Sequence, residues 1–492
     1  MPQNVTLEEK KVARAQKLAV KEAKELVRRE AQYERKRPKL YIIYLMMIIT
    51  LVYITDEVSS NITNALQSSI VTEFFVDPNL IPQTAAFDEA YNKGLAQFSF
   101  YTMLFQATVV FSFFYKTLAD KFGRKPFLVI NTFGMALGML VCFLQQNLFI
   151  FLTGTLIITF FIPNDMQVVY ILETAPEKKR GTIYSLIKGI ASLGISLIPL
   201  MRMVFMGADA TKWRKVFLVP AIVGFVACFF ALLFAGETDV FLRRRIDYLK
   251  KTPEQREEEK KNKTEADKNA QGGLGHALKF AFSHKQLKWL FIAVAIFLVG
   301  AISTQDYESI MKAATMTTEE VNSALLMYPF GVAFVTLIYG FFSDKLGRKT
   351  VSVCLSGVAT ICFILFIISA KFLWSPYIVG TFIGLFVGAF WAVSDTLGIM
   401  STESCPTNLR ASMLSAETVM AGIGMGSIMV ITMGILYIFP KINLDYWCLG
   451  VSTPAMVIGL LILCFKVGET KGMNMDQVTG AEWDGKQIQD KA

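Results

Sequence analysis

The chain has 492 residues, 53% of them hydrophobic and only 18% charged, with 49 Lys and Arg against 40 Asp and Glu. A water-soluble protein of this size carries more charge than that on its surface, so a soluble globular fold is excluded. The net charge of +9 is gathered in a few segments between apolar blocks, which marks membrane topology and argues against nucleic-acid binding.

Residues 1–39 are rich in Ala, Glu, Lys and Arg and predict a charged helix ending before Pro38. Its thin apolar face favours a loose cytoplasmic tail over a helix lying on the membrane. Twelve apolar blocks follow, each about 20 residues long, enough to cross ~30 Å of hydrocarbon as a helix. They run 40–64, 95–115, 127–145, 148–172, 182–206 and 215–235, then 287–311, 322–342, 350–370, 376–400, 411–438 and 446–467. We number them spans one to twelve. They are solidly apolar where barrel strands would alternate, and in lipid a helix alone pairs its own backbone.

The expected fold is therefore all-α and integral to the membrane, with twelve transmembrane helices in two bundles of six. The bundles are 40–235 and 287–467, joined by a charged linker, 236–286, with short interfacial helices and followed by a tail, 468–492. Basic residues cluster before span one and in 116–126, 177–181, 236–286 and 345–349. All of these lie on one side of an even number of spans, so the positive-inside rule puts both termini in the cytoplasm. Lys212, Arg214 and Lys215 are the exception on the outer side. The seven cysteines show neither metal nor disulfide spacing. The first 39 residues are too polar for a cleavable signal, so span one is expected to direct insertion. The expected location is the plasma membrane, as a multi-pass monomer without cofactor.

The two halves repeat each other. Asp120-Lys121-Phe122-Gly123-Arg124-Lys125 follows span two, and Asp344-Lys345-Leu346-Gly347-Arg348-Lys349 follows span eight. Glu173-x-x-Pro176-x-x-x-Arg180 follows span four, and Glu403-x-x-Pro406-x-x-x-Arg410 follows span ten. Gly236-Glu237-Thr238 closes one half and Gly468-Glu469-Thr470 the other. Three matched motifs in one order identify a duplicated six-helix unit.

These motifs resemble the major facilitator superfamily, and within it the sugar-porter and organic-ion branch, over roughly residues 40–480. The loop after spans two and eight matches the superfamily signature. The Glu-x-x-Pro-x-x-x-Arg element, Trp213-Arg214 and Glu469-Thr470-Lys471-Gly472 resemble sugar porters. The signature usually opens with glycine, present as Gly340, whereas Lys116 stands there in the first half. The resemblance implies a cytoplasmic latch in which Gly123 and Gly347 make tight turns. Arg124 then meets Glu173 and Glu237, near Arg180, and Arg348 meets Glu403 and Glu469, near Arg410, with guanidinium and carboxylate paired as forks. Asp120 and Asp344 open the two loops. Such networks would hold the cytoplasmic side shut and break as the halves rock.

Carboxylates inside the spans mark a pathway, because each costs ~2.5–3.5 kcal/mol at the bilayer centre unless it meets a partner or a wet cavity. They are Asp56 and Glu57 in span one, Asp165 in four, Asp306 and Glu308 in seven, Asp395 in ten and Glu417 in eleven. Asp165 and Asp395 stand at equivalent positions in the halves. Glu308 and Arg202 read as interfacial ends of their spans. Gln305 and Trp391 complete the candidate binding set. Lys188 falls where sugar porters typically carry a substrate-binding glutamine. It can bind an anionic solute, neutralise Asp165 or snorkel to the cytoplasm.

Asp56 sits where proton-coupled sugar porters carry an aspartate that faces an arginine in span four. Here no Lys or Arg occurs between Lys125 and Lys178, although a buried carboxylate can still carry a proton. Ala295-Ile296 and Ser394-Asp395-Thr396 replace sugar-site elements usual in spans seven and ten, which weighs against a plain hexose. Gly422-x-Gly424-x-Gly426 lies in span eleven and reads as a close-packing or bending element, no Walker loop occurs, and His276 and His284 fall in the linker. No enzymatic activity is expected. The expected function is secondary transport of a small polar or charged organic solute by alternating access, with a proton as coupling ion. Sugar or polyol transport, organic-cation export and a non-transporting nutrient sensor are the alternatives.

Overall fold

The computed structural model describes residues 7–35, 40–82, 84–106, 111, 115, 118, 119, 122–162, 166–174, 180–252, 254–258, 274–405 and 410–470. Among them, eleven helices are long and apolar enough to cross a membrane, and they coincide with every expected span but the second. The continuous described helix of span two is Ala85–Gln106. It starts ahead of its apolar block because its polar first turns lie against the other half instead of lipid. There the Tyr91 hydroxyl lies 2.8 Å from that of Ser309, and Asn92 donates to the carbonyls of Pro440 and Ile442.

Several spans are broken where their chemistry demands it. Span one, Tyr41–Ala65, turns at Leu66 into an outer helix, Gln67–Phe75. Span five runs Arg180–Leu193, passes through a tight turn and Leu197–Met201, and ends in a wide turn, Arg202–Met206. Span seven runs Lys285–Phe297 and Ala301–Gln305, then breaks at Asp306 before Tyr307–Ala313. Spans eight, nine and ten are long and continuous: Thr318–Leu346, Arg348–Lys371 and Pro376–Glu403. A reciprocal cap between Thr317 and Glu320 starts span eight. Arg410–Ile438 and Leu444–Lys466 complete the second half.

Small residues set how closely the helices pack. Gly380, Gly384 and Gly388 recur every fourth residue along one face of span ten, and span eight lies directly on it. A Cβ at Gly380 would overlap the Ala324 carbonyl oxygen, and one at Gly384 the Tyr328 oxygen. Gly138 and Gly154 do the same between spans three and four. Of the four glycines in span eleven, only Gly424 packs, against the Ala295 carbonyl of span seven; Gly422, Gly426 and Gly434 have nothing within 4 Å. Between the halves, span five lies along span eight and span two along span eleven. Gly340 packs on Ser185 in the first of these contacts, while Lys116, its counterpart, lies outside the described residues.

The amino-terminal helix, Leu7–Glu34, corrects the expectation of a loose tail. It lies along the linker helix Asp239–Lys250. Its acids meet linker bases: Glu22 with Arg256 at 2.7 Å, Glu25 with Arg245 at 2.9 Å and Glu30 with Lys250 at 2.8 Å. The Arg245 guanidinium holds the Glu25 carboxyl below the usual carboxylate range. The outer basic cluster is also answered locally, since Lys212 pairs with Asp209 at 3.1 Å and Arg214 with Glu73.

The glycine face gives a direct test. Gly384→Val should destabilise the purified protein by about 1–3 kcal/mol, the usual cost of overpacking, seen as a lower melting temperature in detergent. Gly434→Val, where nothing lies within 4 Å, should leave the melt unchanged. Equal melting of the two variants would remove the close approach of spans eight and ten as a source of stability.

Candidate functional site

A cavity of about 260 Å³ lies between the halves. Span one contributes Glu57, Ser60, Asn61 and Asn64 to its wall. Their spacing of three and four residues is one face of a helix. Lys188 and Ser192 of span five adjoin them, and Thr304 and Gln305 of span seven close the outer end. Span eight adds Tyr328, Thr336 and Tyr339, and span ten adds Trp391 and Asp395.

The central charge pair joins the two halves. Lys188 Nζ lies 3.0 Å from Asp395 Oδ2. The described partner of Lys188 is thus the span-ten aspartate, while Asp165, its sequence-based partner, lies outside the described residues. The Asn61 amide donates to the Glu57 carbonyl at 2.8 Å, and its oxygen accepts from the Tyr328 hydroxyl at 3.0 Å. That hydroxyl comes from the other half. Asn61, Asn64, Tyr328 and Tyr339 were not singled out from sequence. The polar stripe 57, 60, 61, 64 in an otherwise apolar span is the signal that could have found the first two.

Above the cavity the halves are sealed by hydrogen bonds. Asn64 donates to Gln305 and Gln67 to Asp306, both at 2.7 Å. The Glu308 carboxylate accepts from the Ser68 amide and hydroxyl, both at 2.6 Å, and lies 3.3 Å from Arg202 Nη2. Arg202 donates further to Asn322 at 2.7 Å and to the Ala65 carbonyl. Arg202 and Glu308 are both 0% exposed, which corrects their reading as interfacial residues. Alone, either would be prohibitively costly to bury; together with three neighbouring polar groups they are satisfied.

The remaining candidates separate in space. Glu57, Lys188, Gln305, Trp391 and Asp395 share the cavity. Asp306 belongs to the seal. Asp56 is buried outside the cavity wall and accepts from Gln167 of span four at 3.1 Å. A neutral amide therefore stands near it where the family resemblance implies an arginine. Glu417 is buried beside Gly398, between spans ten and eleven.

At the inner ends of the spans, the repeated motifs build two matching networks. Arg124 Nη2 lies 3.2 Å from Glu173, and Arg348 Nε 3.4 Å from Glu403. Glu237 and Glu469 act differently from expectation. Each carboxylate accepts backbone N–H bonds at the start of a span: Glu237 from Arg124 at 2.9 Å and Lys125 at 3.2 Å, Glu469 from Arg348 at 2.7 Å and Lys349 at 3.1 Å. They cap helices three and nine from outside. Burial pushes the Glu237 carboxyl up, against the pull of those N–H groups and of Arg29. Gly123 and Gly347 have φ of 118° and 108°, and a Cβ on either would overlap the capping carboxylate. Asp120 and the side chains of Arg180, Asp344 and Arg410 lie outside the described residues. No group of three or more His, Cys, Asp or Glu that could hold a metal occurs among those described.

Comparison with known proteins adds the following. A family model described as "Sugar (and other) transporter" matches residues 64–481. The putative metabolite transport protein YwtG of Bacillus subtilis is 25% identical over 73% of this chain and 81% of its own. Plastidic glucose transporter 4 of Arabidopsis thaliana is 24% identical over 76% of this chain and 71% of its own. The crystal structure of a D-xylose–proton symporter superposes with a TM-score of 0.63 at 16% identity, covering 88% of this chain and 99% of that one.

The charge pair generates a double-mutant cycle. Lys188→Gln and Asp395→Asn should each lower the melting temperature, because each strands the other charge. The double variant should recover part of the loss, with a coupling of ~1 kcal/mol given the partial exposure of both groups. Strictly additive losses would show that the two side chains do not depend on each other.

Proposed function

Because the chain belongs to the sugar (and other) transporter family, within the major facilitator superfamily, we propose that it moves a small uncharged polyhydroxylated solute, a sugar or polyol, by alternating access. The observation that carries this reading is the Lys188–Asp395 pair. The sequence favoured a charged solute because a buried ammonium needs an anion. Asp395 supplies that anion from within the protein, so the reason for an ionic solute falls away. The remaining wall offers amides, hydroxyls and an indole, from Asn61, Asn64, Gln305, Tyr328 and Trp391. Amides and hydroxyls both donate and accept, which suits vicinal hydroxyl groups, and an indole face suits the C–H surface of a sugar ring. The relatives named for glucose and for xylose point the same way.

In this mechanism the outer seal is the closed outer gate, and the two inner networks keep each half rigid. Each network ties together the inner ends of three spans of one half: three, four and six, or nine, ten and twelve. The halves then rock as bodies about the solute. The coupling ion is a proton carried by Asp56, a buried carboxylate facing an amide, with Glu57 beside it in the cavity as the route to water. The membrane is the plasma membrane. A second reading, export of an organic cation, rests on Glu57 and Asp395 outnumbering Lys188 in the cavity wall.

Ligand-induced thermal stabilisation of the purified protein tests the solute class. Pentoses, hexoses or polyols should raise the melting temperature with the logarithm of ligand concentration above Kd, as binding to the folded state alone requires. Stabilisation by organic cations instead selects the second reading, and by carboxylates alone removes both. In proteoliposomes, Asp56→Asn should abolish pH-driven accumulation yet leave solute exchange measurable, since the amide imitates the protonated acid. A variant that still concentrates solute on a pH gradient would take the proton away from Asp56.

A further inference from the structure

A second cavity, about 550 Å³, opens at the cytoplasmic end of the first half, away from the transport path. Its polar wall comes from the amino-terminal helix, through Arg28, Arg29 and Arg35, and from Lys125 at the start of span three. Its apolar wall is Leu233 and Phe234 at the inner end of span six, with Tyr44 of span one. Leu233 and Phe234 are about half exposed, 54% and 49%, on a helix that faces hydrocarbon.

The charges of this cavity are unbalanced in a way the rest of the helix is not. Glu22, Glu25 and Glu30 each meet a linker base. Arg28 and Arg35 are exposed and have no carboxylate within ion-pair distance among the described residues. Arg29 is 6% exposed. Its guanidinium donates to the Phe122 carbonyl and lies 3.9 Å from Glu237, yet its Nε, 3.6 Å from Glu25, makes no hydrogen bond. Glu25, the carboxylate near that Nε, is shared with Arg245 of the linker. The one acid in the wall, Glu237, is already engaged by the backbone of Arg124 and Lys125.

We propose that this cavity binds an anionic phospholipid of the cytoplasmic leaflet. Its phosphate sits among Arg28, Arg29, Arg35 and Lys125, and its acyl chains run along Leu233 and Phe234. The apolar wall decides between a lipid and a free phosphate compound, because only a lipid has a use for it. The position agrees, since basic groups at the cytoplasmic surface meet anionic headgroups there, at about 1 kcal/mol for each Lys or Arg. Arginine is also the side chain that grips phosphate through two donors at once.

The test is retention of added lipid by the full-length protein in native mass spectrometry, using phosphatidic acid and phosphatidylcholine of identical chains. The wild type should hold phosphatidic acid well above phosphatidylcholine. The Arg28→Ala, Arg35→Ala double variant should lose roughly tenfold or more of that affinity, and Arg28→Lys, Arg35→Lys should keep most of it. Both positions are exposed, so the fold is preserved and melting controls for it. Glycerol 3-phosphate in solution should fail to displace the lipid. Equal retention by wild type and the alanine variant, or displacement by glycerol 3-phosphate as complete as by lipid, would overturn the proposal.

Discussion

Inside hydrocarbon a charged side chain has no water to turn to, so every charge placed there must be answered by another protein group. In this chain the answers come from across the molecule. Lys188 of the first half meets Asp395 of the second, and Arg202 of the first meets Glu308 of the second. These two ion pairs therefore also join the halves. Cavity, outer seal and relative placement of the bundles follow from the same requirement.

What was readable in the sequence was what is local or repeated. Span positions follow from runs of apolar residues, and the duplication from three motifs that recur in order. The pairings were not readable, because they depend on which helix faces which. Lys188 could be assigned an aspartate by charge, but only the packing of span five near span ten shows that Asp395 lies within its reach. Glu308 and Arg202 sit near span ends and so read as interfacial. The break at Asp306 and the wide turn at Arg202–Met206 put them under the opposite half instead. The docking of the amino-terminal helix was hidden for the same reason: Glu22, Glu25 and Glu30 match bases more than two hundred residues away.

The inner motifs show how a repeated sequence becomes a repeated device. Arg124 and Arg348 each bind a carboxylate from the fourth span of their half, while their backbone nitrogens bind one from beyond the sixth. One residue thus holds two helix ends through chemically different groups. The glycine before it is required twice over, for its positive φ and for the space the capping carboxylate fills. An arginine-to-lysine change would keep the backbone bonds and lose the planar guanidinium contact, separating the two roles.

The fully buried Arg202–Glu308 pair has a consequence for how the protein meets its surroundings. In the proposed mechanism, opening outward exposes both groups to water but breaks the four hydrogen bonds that join the halves around them. On that mechanism the balance sets the fraction of molecules open to the outside, and apparent affinity measured from outside scales with this fraction. Substitutions at Asn322 or Ser68, neither of which lines the cavity, would then shift apparent affinity without altering the groups that face it. In such a carrier, appetite and taste are governed by different parts of the chain.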